Sequence, residues 1–271
     1  MPNIKEVLRR SSLMLSKSVI NPKKEAMILL REWIKEDEVF LITHDDFEIN
    51  DVDGFFEWVK QRAEHTPLEY ITQKASFYSK EFIVRKGVLV PRPETEILVD
   101  KTLSLIKEYD AIRVAEIGTG SGVISIMLAL LLPQIRIDAT DISPKAIELA
   151  SINAQKFGVE NRIKFHLTSY LDGVEPPQIL VSNPPYISKK EELEKYVLNE
   201  PHNALFGGEQ GDEILKDIVL LAKKLNVLAL ACEMGYDQKY SLENFFKNNE
   251  IKNYSFYQDL SGLDRGFIIK E

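Results

Sequence analysis

The chain has 271 residues, 44% of them hydrophobic, which is enough for a sizeable buried core in one large domain or two smaller ones. Its formal net charge of -8 has the wrong sign for a protein that binds by neutralising many phosphates, and it favours a protein or small-molecule substrate. No apolar run approaches the roughly 18 residues that a membrane span requires.

The sequence also argues against a secreted or metal-dependent protein. The first ten residues alternate charged and apolar side chains and lack the apolar stretch of a secretion signal, so we expect a cytoplasmic protein. The single cysteine, Cys232, cannot form an internal disulfide, and its apolar neighbours indicate a core position. The four histidines show no short ligand spacing, so we expect no metal site.

Residues 1–74 are predicted to form a small helical domain. The apolar spacing is helical from residue 3 to about residue 71, and Asn21 with Pro22 supplies an N-cap and a first helical residue. An apolar stripe follows at helical spacing and comprises Ala26, Met27, Leu29, Leu30, Trp33 and Ile34. A later aromatic stripe around Phe55 and Trp58 fits core packing or a docking face, and core packing is favoured.

Residues 75–91 predict a β-hairpin linker, because short β-rich runs at residues 77–78, 82–84 and 88–90 are separated by polar and glycine breaks. From residue 92 onward, strand-like and helix-like segments alternate. The strand candidates are residues 112–117, 135–140, 163–167, 179–182, 227–232, 251–257 and 266–269, and the clearest helices are 123–132, 144–157 and 212–225. This alternation predicts an α/β fold with a mostly parallel sheet, helices on both faces, and ligands at the carboxyl ends of the strands.

A glycine-rich turn, Gly118-Thr119-Gly120-Ser121-Gly122, joins the first strand candidate to a helix. Glycine lets the backbone approach a ligand closely, and a helix N-terminus offers free N–H groups. The G-x-G-x-G spacing lacks the third glycine of a dinucleotide fingerprint, and no Lys-Ser/Thr pair follows, which excludes a phosphate-cradling P-loop. A tight loop without a ligand is the plain alternative.

Two residues at the next strand ends complete a predicted adenosine site. Asp141 ends the second strand candidate, where its carboxylate can accept hydrogen bonds from two ribose hydroxyls; its alternative role is to cap the helix that starts at Pro144. Tyr170 follows the third strand candidate and can stack on an adenine ring or be a half-buried tyrosine. The glycine turn and Asp141 together favour the adenosine site.

The fourth strand candidate runs directly into Asn183-Pro184-Pro185-Tyr186. The prolines remove two N–H donors and fix φ, so the amide oxygen of Asn183 and the carbonyl of Pro184 can accept both N–H bonds of one planar NH2 group. Tyr186 can pack its ring on that group. Such a nitrogen is a poor nucleophile, and alignment with a methyl donor supplies the needed rate without a metal or covalent nucleophile. A proline-rich bend without function is the alternative.

These motifs resemble the peptide chain release factor glutamine methyltransferases, class I enzymes that methylate the glutamine of the Gly-Gly-Gln loop in bacterial release factors. The matching stretches are residues 67–71, 88–96, 116–122, 183–187, 200–201 and 207–208. The segment Pro-Arg-Pro-Glu-Thr-Glu at residues 91–96 is the most family-specific, since the other motifs also occur in related amino-nitrogen methyltransferases.

The resemblance implies a class I, Rossmann-like methyltransferase domain at residues 92–271, with a seven-stranded mostly parallel sheet that has one antiparallel strand. It also implies that residues 1–74 help to grip the release factor and that 75–91 form the hairpin. It assigns S-adenosylmethionine to Gly118, Thr119, Gly120, Ser121, Gly122, Asp141, Tyr170 and Asn183. It assigns the substrate glutamine to Asn183, Pro184, Pro185 and Tyr186, with a release factor as partner and no membrane or direct nucleic-acid partner.

The chain departs from the family pattern at Ser169, where an acid is common, and at Tyr170, where a tryptophan is common. These departures put a hydrogen bond from an acid to the adenine in doubt but keep an aromatic surface. Arg92, Glu94 and Glu96 fit contact with cofactor or substrate as well as they fit capping of the following helix, where acids stabilise the dipole.

Two other functions compete. An adenine N6 methyltransferase would present the same planar NH2 group to Asn183 and Pro184 after base flipping, but the acidic charge and the sheet that extends to Glu271 leave little room for nucleic-acid recognition. A cofactor-binding scaffold without catalysis has no use for an intact Asn-Pro-Pro-Tyr loop.

Overall fold

The structure, a computed structural model, describes residues 1–194 and 197–271. The chain divides into two compact units: Met1–Lys74 with Leu193–Asn199, and Ala75–Glu192 with Glu200–Glu271. Within the described residues, no helix has the length and apolar character needed to cross a membrane.

The first unit is helical. Its α-helices are α1 (Ile4–Leu15), α2 (Pro22–Ile34), α3 (Glu38–Thr43), α4 (Val52–Ala63) and α5 (Leu68–Thr72). Short polar side chains begin three of them: Asn3, Asp37 and Asp51 each accept a hydrogen bond from a backbone N–H of the first turn. The predicted stripe on α2 faces a shared core except at Met27, which is not part of it, and Leu29 and Leu30 are fully buried there.

A two-stranded hairpin opens the second unit, with β1 (Lys74–Phe77) and β2 (Lys80–Ile83). Tyr78 and Ser79 form its turn with φ of 54° and 55°, the left-handed region that tight hairpin turns use. The third β-rich run of the sequence, residues 88–90, forms no strand, because the N–H of Val90 donates to the Glu200 carboxylate rather than to a neighbouring strand.

The remaining strands are β3 (Arg113–Ile117), β4 (Arg136–Asp141), β5 (Ile163–Leu167), β6 (Ile179–Ser182), β7 (Ile187–Ser188), β8 (Phe206–Gly208), β9 (Ala229–Glu233), β10 (Tyr254–Gln258) and β11 (Asp264–Lys270). Seven of them form one sheet in the order β10-β11-β9-β6-β3-β4-β5. Only β11 runs antiparallel to its neighbours, so the predicted seven-stranded, mostly parallel sheet is confirmed. β7 and β8 form a separate parallel pair.

Helices cover both faces of the sheet. They are α6 (Thr95–Glu108), α7 (Val123–Leu131), α8 (Pro144–Lys156), α9 (Glu213–Leu225) and α10 (Lys239–Asn248). Alternate strand residues enter different cores: Val114 packs with α6, α7 and α8, whereas its neighbour Ala115 packs with α9 and α10. Helix α10 was not predicted, because only Leu242 and Phe246 of its ten residues are buried and the apolar pattern is correspondingly weak.

A buried amide joins the hairpin to the glycine turn. Asn153 of α8 accepts a hydrogen bond from the Ile83 N–H and donates to the carbonyls of Ile83 and Ser121, each at 2.9 Å. Its side chain is fully buried, so the three bonds have no competition from water.

We expect Asn153→Ala to lower the free energy of unfolding by about 3 kcal/mol, because buried N–H and C=O groups lose their partners. Urea unfolding followed by circular dichroism measures the change. Gln155→Ala, an exposed position of the same helix, serves as the control. Equal stability of the two variants would show that the amide does not hold the hairpin.

Candidate active site

The glycine turn after β3 opens one side of a cavity. Gly118, Gly120 and Gly122 have φ of 75°, 55° and 84°, which disfavours any other residue there. A Cβ on Gly118 or Gly120 would have no atom closer than 3.8 Å, so both glycines leave open space. A Cβ on Gly122 would lie 3.0 Å from Ile126, which shows that this glycine serves the packing of α7.

Glu116 lies beneath the turn and is 1% exposed. One carboxylate oxygen accepts hydrogen bonds from the Thr119 hydroxyl at 2.9 Å and from the N–H and hydroxyl of Ser125. The other oxygen is buried without a hydrogen-bond partner among the described residues. Burial raises the pKa of Glu116 to about 7, although these hydrogen bonds oppose the rise. No role for Glu116 was predicted from the sequence, where the signal is an acid inside a hydrophobic strand.

Asp141 ends β4 beside the turn. Its two oxygens accept hydrogen bonds from the N–H groups of Gly120 and Ser143, at 2.9 and 2.8 Å. Burial raises its pKa, and these backbone bonds oppose that rise. Each oxygen retains a lone pair that can accept a further hydrogen bond from a ligand hydroxyl. The capping function belongs instead to Ser143, whose side chain accepts from the Ala146 N–H.

A cavity of about 280 Å³ lies at the carboxyl ends of β3, β4, β5 and β6. Of the predicted cofactor residues, Gly118, Gly120, Asp141, Tyr170 and Asn183 line it, whereas Thr119, Ser121 and Gly122 do not. Ser169 also lines the cavity, and apolar side chains such as Val88, Leu89 and Ile142 supply much of the remaining wall.

Tyr170 is fixed in the cavity wall by a hydrogen bond. Its hydroxyl donates to Asp217 at 2.8 Å, and burial together with this acid raises its pKa to about 12. Its φ of 47° is unusual for a residue with a side chain. The tyrosine is therefore held neutral, with its ring at the cavity.

The Asn-Pro-Pro-Tyr loop follows β6 and borders the same cavity through Asn183, Pro184 and Pro185. The Asn183 amide nitrogen donates to the Thr95 hydroxyl at 3.0 Å. Among the described residues, neither the amide oxygen of Asn183 nor the carbonyl of Pro184 accepts a hydrogen bond. Two acceptors at the cavity are thus open to a ligand.

Tyr186 does not line the cavity. Its hydroxyl donates to Glu233 at 3.1 Å, and its carbonyl accepts from the Gln238 amide at 2.7 Å. Burial raises its pKa above the usual range, helped by the charge of Glu233. Behind the loop, a Cβ on Gly207 would lie 2.5 Å from the Pro185 carbonyl, so only glycine fits there. The stacking of Tyr186 on a substrate stays a prediction.

Arg92, Glu94 and Glu96 are not among the residues that line the cavity. Arg92 forms an ion pair with the buried Glu200, which also accepts from the Val90 N–H at 3.0 Å. Glu96 accepts from the Tyr78 N–H in the hairpin turn at 2.7 Å. Glu94 occupies the N-cap position of α6 but makes no side-chain capping bond. Arg92 and Glu96 therefore brace the segment around the start of α6 through these contacts.

No cluster of three or more histidine, cysteine or acidic side chains suited to a metal ion occurs in the described residues. Cys232 is fully buried, and burial raises the pKa of its thiol, as expected for a core cysteine.

Two known protein families match parts of the chain. Residues 6–72 match the family described as PrmC N-terminal domain, and residues 94–208 match the family described as Methyltransferase small domain.

Individual relatives are similar over most of the chain. A release factor glutamine methyltransferase of Clostridium acetobutylicum is 34% identical, with 89% of each chain covered. One from Coxiella burnetii is 30% identical over 100% of this chain and 99% of its own. A bifunctional methyltransferase of Rickettsia felis is 36% identical over 97% of this chain, which spans only 57% of that relative.

Solved structures share the fold at lower identity. The human METTL16 catalytic domain in complex with an RNA hairpin has a TM-score of 0.58 at 14% identity, covering 97% of this chain and 89% of its own. A ribosomal protein L11 methylase of Lactobacillus delbrueckii has a TM-score of 0.51 at 20% identity, covering 72% of this chain and 88% of its own.

We expect the stability of the protein to depend on the charge of Glu116. Folding raises the pKa of Glu116 from 4.5 to about 7. The contribution of protonated Glu116 to the unfolding free energy is therefore complete below pH 4.5 and is lost as the pH rises through 7. Between pH 5 and pH 8, ionisation of Glu116 should lower the unfolding free energy of the wild-type protein by up to about 3 kcal/mol. Glu116→Gln should lack this decrease.

Urea unfolding at several pH values gives this comparison, with the exposed Glu160→Gln as control. If wild type and Glu116→Gln lose stability in parallel as the pH rises, Glu116 is ionised in the folded state throughout this range.

Proposed function

Because the chain belongs to the release factor glutamine methyltransferase family, we propose that it transfers the methyl group of S-adenosylmethionine to the side-chain amide nitrogen (N5) of the glutamine in the Gly-Gly-Gln motif of peptide chain release factors. The observation that carries the proposal is the pair of open acceptors at the cavity, the Asn183 amide oxygen and the Pro184 carbonyl.

The cavity residues fit the cofactor. Gly118 and Gly120 leave space that any Cβ would occupy, which suits a ligand in contact with the backbone. Asp141 keeps acceptor capacity for ribose hydroxyls, and Tyr170 offers a ring for the adenine. Thr119, Ser121 and Gly122 shape the turn that carries these contacts. When bound, S-adenosylmethionine supplies an electrophilic methyl group on a sulfonium.

The loop selects its acceptor by hydrogen-bond geometry. A primary amide has two coplanar N–H donors, and Asn183 with Pro184 offers two acceptors without a competing donor beside them. Pro185 and Tyr186 hold the loop in place from its other end. Both bonds strengthen as the nitrogen gains positive charge, so they stabilise the transition state more than the ground state. The nitrogen lone pair forms the new N–C bond as the bond between the methyl carbon and sulfur breaks and leaves its electron pair on sulfur, and one N–H proton leaves to solvent.

Positioning of the amide nitrogen against the methyl donor supplies much of the rate enhancement. An amide nitrogen shares its lone pair with the carbonyl, so its reaction needs a fixed approach rather than a stronger base. Holding the two reactants in line can contribute about 7 to 11 kcal/mol. No metal or covalent intermediate is needed for this transfer.

The remaining assignments complete the proposal. Residues 1–74 form the recognition domain that helps to grip the release factor, residues 75–91 the hairpin linker, and residues 92–271 the methyltransferase domain. A release factor substrate places the enzyme in the cytoplasm and in translation termination. The net charge of -8 supports a protein substrate over nucleic acid, and no membrane partner is required.

Methyl transfer to three acceptors tests the function. We expect label from S-adenosylmethionine on a full-length bacterial release factor, because its amide matches the two acceptors. The same factor with its Gly-Gly-Gln glutamine replaced by alanine, and adenine-containing DNA and RNA, should stay unlabelled. Label on nucleic acid alone would favour adenine N6 methylation instead.

The loop assignment predicts the behaviour of Asn183→Ala. Loss of one positioned acceptor should reduce the rate of methyl transfer by at least about 100-fold, while the Kd for S-adenosylmethionine changes little. Single-turnover kinetics and calorimetry measure the two quantities. Asn161→Ala, at an exposed position, is the control. Near-normal transfer by Asn183→Ala would contradict the mechanism.

A further inference from the structure

Both ends of the Asn-Pro-Pro-Tyr loop lead to one buried carboxylate. At the first end, Asn183 donates to the Thr95 hydroxyl at 3.0 Å, and that hydroxyl donates to Glu233 at 2.7 Å. At the last end, the Tyr186 hydroxyl donates to the other oxygen of Glu233 at 3.1 Å. Glu233 is the last residue of β9 and is 1% exposed, and Thr95 is 2% exposed.

The direction of these bonds determines which atom of Asn183 faces the cavity. An ionised carboxylate only accepts hydrogen bonds, so the single proton of the Thr95 hydroxyl goes to Glu233. The Thr95 oxygen can then only accept, which requires the NH2 group of Asn183 on that side. The amide oxygen of Asn183 is thereby turned to the cavity, where it can accept from a substrate N–H.

Protonation of Glu233 permits the opposite order. A carboxylic acid can donate to Thr95, whose hydroxyl can then donate to the amide oxygen of Asn183. The amide would present its NH2 group to the substrate NH2 group, and two donors would face each other. An amide and its flipped form have nearly the same shape, so only the hydrogen-bond partners distinguish them.

We propose that Glu233 and Thr95 are positioning residues, which hold the Asn183 amide in the one orientation that accepts a hydrogen bond from the substrate nitrogen. The proposal rests on the proposed function for the identity of the substrate. Neither residue lines the cavity, so both act through Asn183.

The surroundings of Glu233 place its ionisation near neutral pH. Burial raises its pKa to about 7, while hydrogen bonds from Thr95 and Tyr186 and the charge of Arg265 oppose the rise. The titratable and charged groups that face it are Glu94, Tyr186, Cys232, Tyr257 and Arg265. Arg265 also forms an ion pair with Asp259 at 2.9 Å, so Asp259 and Glu233 share the charge of this one arginine.

Variants of Thr95 test the relay, which is the chain of hydrogen bonds from Asn183 through Thr95 to Glu233. Thr95→Val keeps the side-chain shape but removes the hydroxyl, so we expect kcat to fall at least tenfold, with KM for the release factor and Kd for S-adenosylmethionine within about threefold. Thr95→Ser should restore kcat to within about threefold of wild type. Thr102→Val removes another fully buried hydroxyl of α6, which among the described residues bonds to the Leu98 carbonyl alone, and should leave kcat unchanged. Wild-type kcat in Thr95→Val overturns the proposal.

The pH profile of kcat tests the charge requirement. Wild type should lose activity below a midpoint near pH 7, since the glutamine amide itself does not titrate there. Glu233→Gln should have a lower kcat and a flat profile between pH 6 and pH 8.5. A wild-type profile without this acid limb, or the same limb in Glu233→Gln, overturns the requirement for an ionised Glu233.

A readout without turnover separates this proposal from the proposed function. In nuclear magnetic resonance, the side-chain 1H–15N signals of Asn183 should shift with pH at the midpoint of the Glu233 carboxyl 13C signal, and Thr95→Val should abolish this coupling. Coupling without methylation of the release factor would refute the proposed substrate but support the relay. Methylation without coupling would refute the relay alone.

Discussion

The candidate site depends on the parallel pairing of β3 with both β4 and β6. The register aligns Ile117 with Thr140 on one side and with Ser182 on the other, so the three strands end at the same level. The segments that follow them, the glycine turn, Asp141 and the Asn-Pro-Pro-Tyr loop, consequently share one edge. A further bond, from the Ser182 hydroxyl to the Ile117 carbonyl at 2.7 Å, ties the loop strand to the turn strand.

Two carboxylates buried at strand ends distinguish this edge from the rest of the sheet. Glu116 lies at the base of the turn and Glu233 behind the loop, and both have a pKa raised to about 7 by burial. Burying a carboxylate is costly unless donors surround it, and hydroxyls of serine, threonine and tyrosine supply those donors here. Each acid therefore fixes the side chains around it, and their hydrogen bonds offset part of the cost of burial.

Local patterns explain what could be predicted from the sequence. The seven strands of the main sheet were predicted with shifts at their ends, because alternating buried segments and glycine turns are local signals. The β7–β8 pair and the bond between Thr95 and Glu233, 138 residues apart, were not predicted, because nothing in a short window records such partners. Within the motifs, spacing could not show that Gly122 packs on α7 while Gly118 faces the cavity.

The relay also gives a physical reason for the threonine in the segment Pro-Arg-Pro-Glu-Thr-Glu. The two prolines of the loop fix the backbone, but they leave the Asn183 side chain free to rotate and its amide free to flip. A hydroxyl between that amide and an ionised acid removes this freedom before a substrate arrives, so binding loses less conformational entropy. Thr95 satisfies the requirement because it begins α6, within reach of both the loop and the end of β9. The rigidity of the backbone and the orientation of the amide are thus separate requirements, met by elements far apart in the chain.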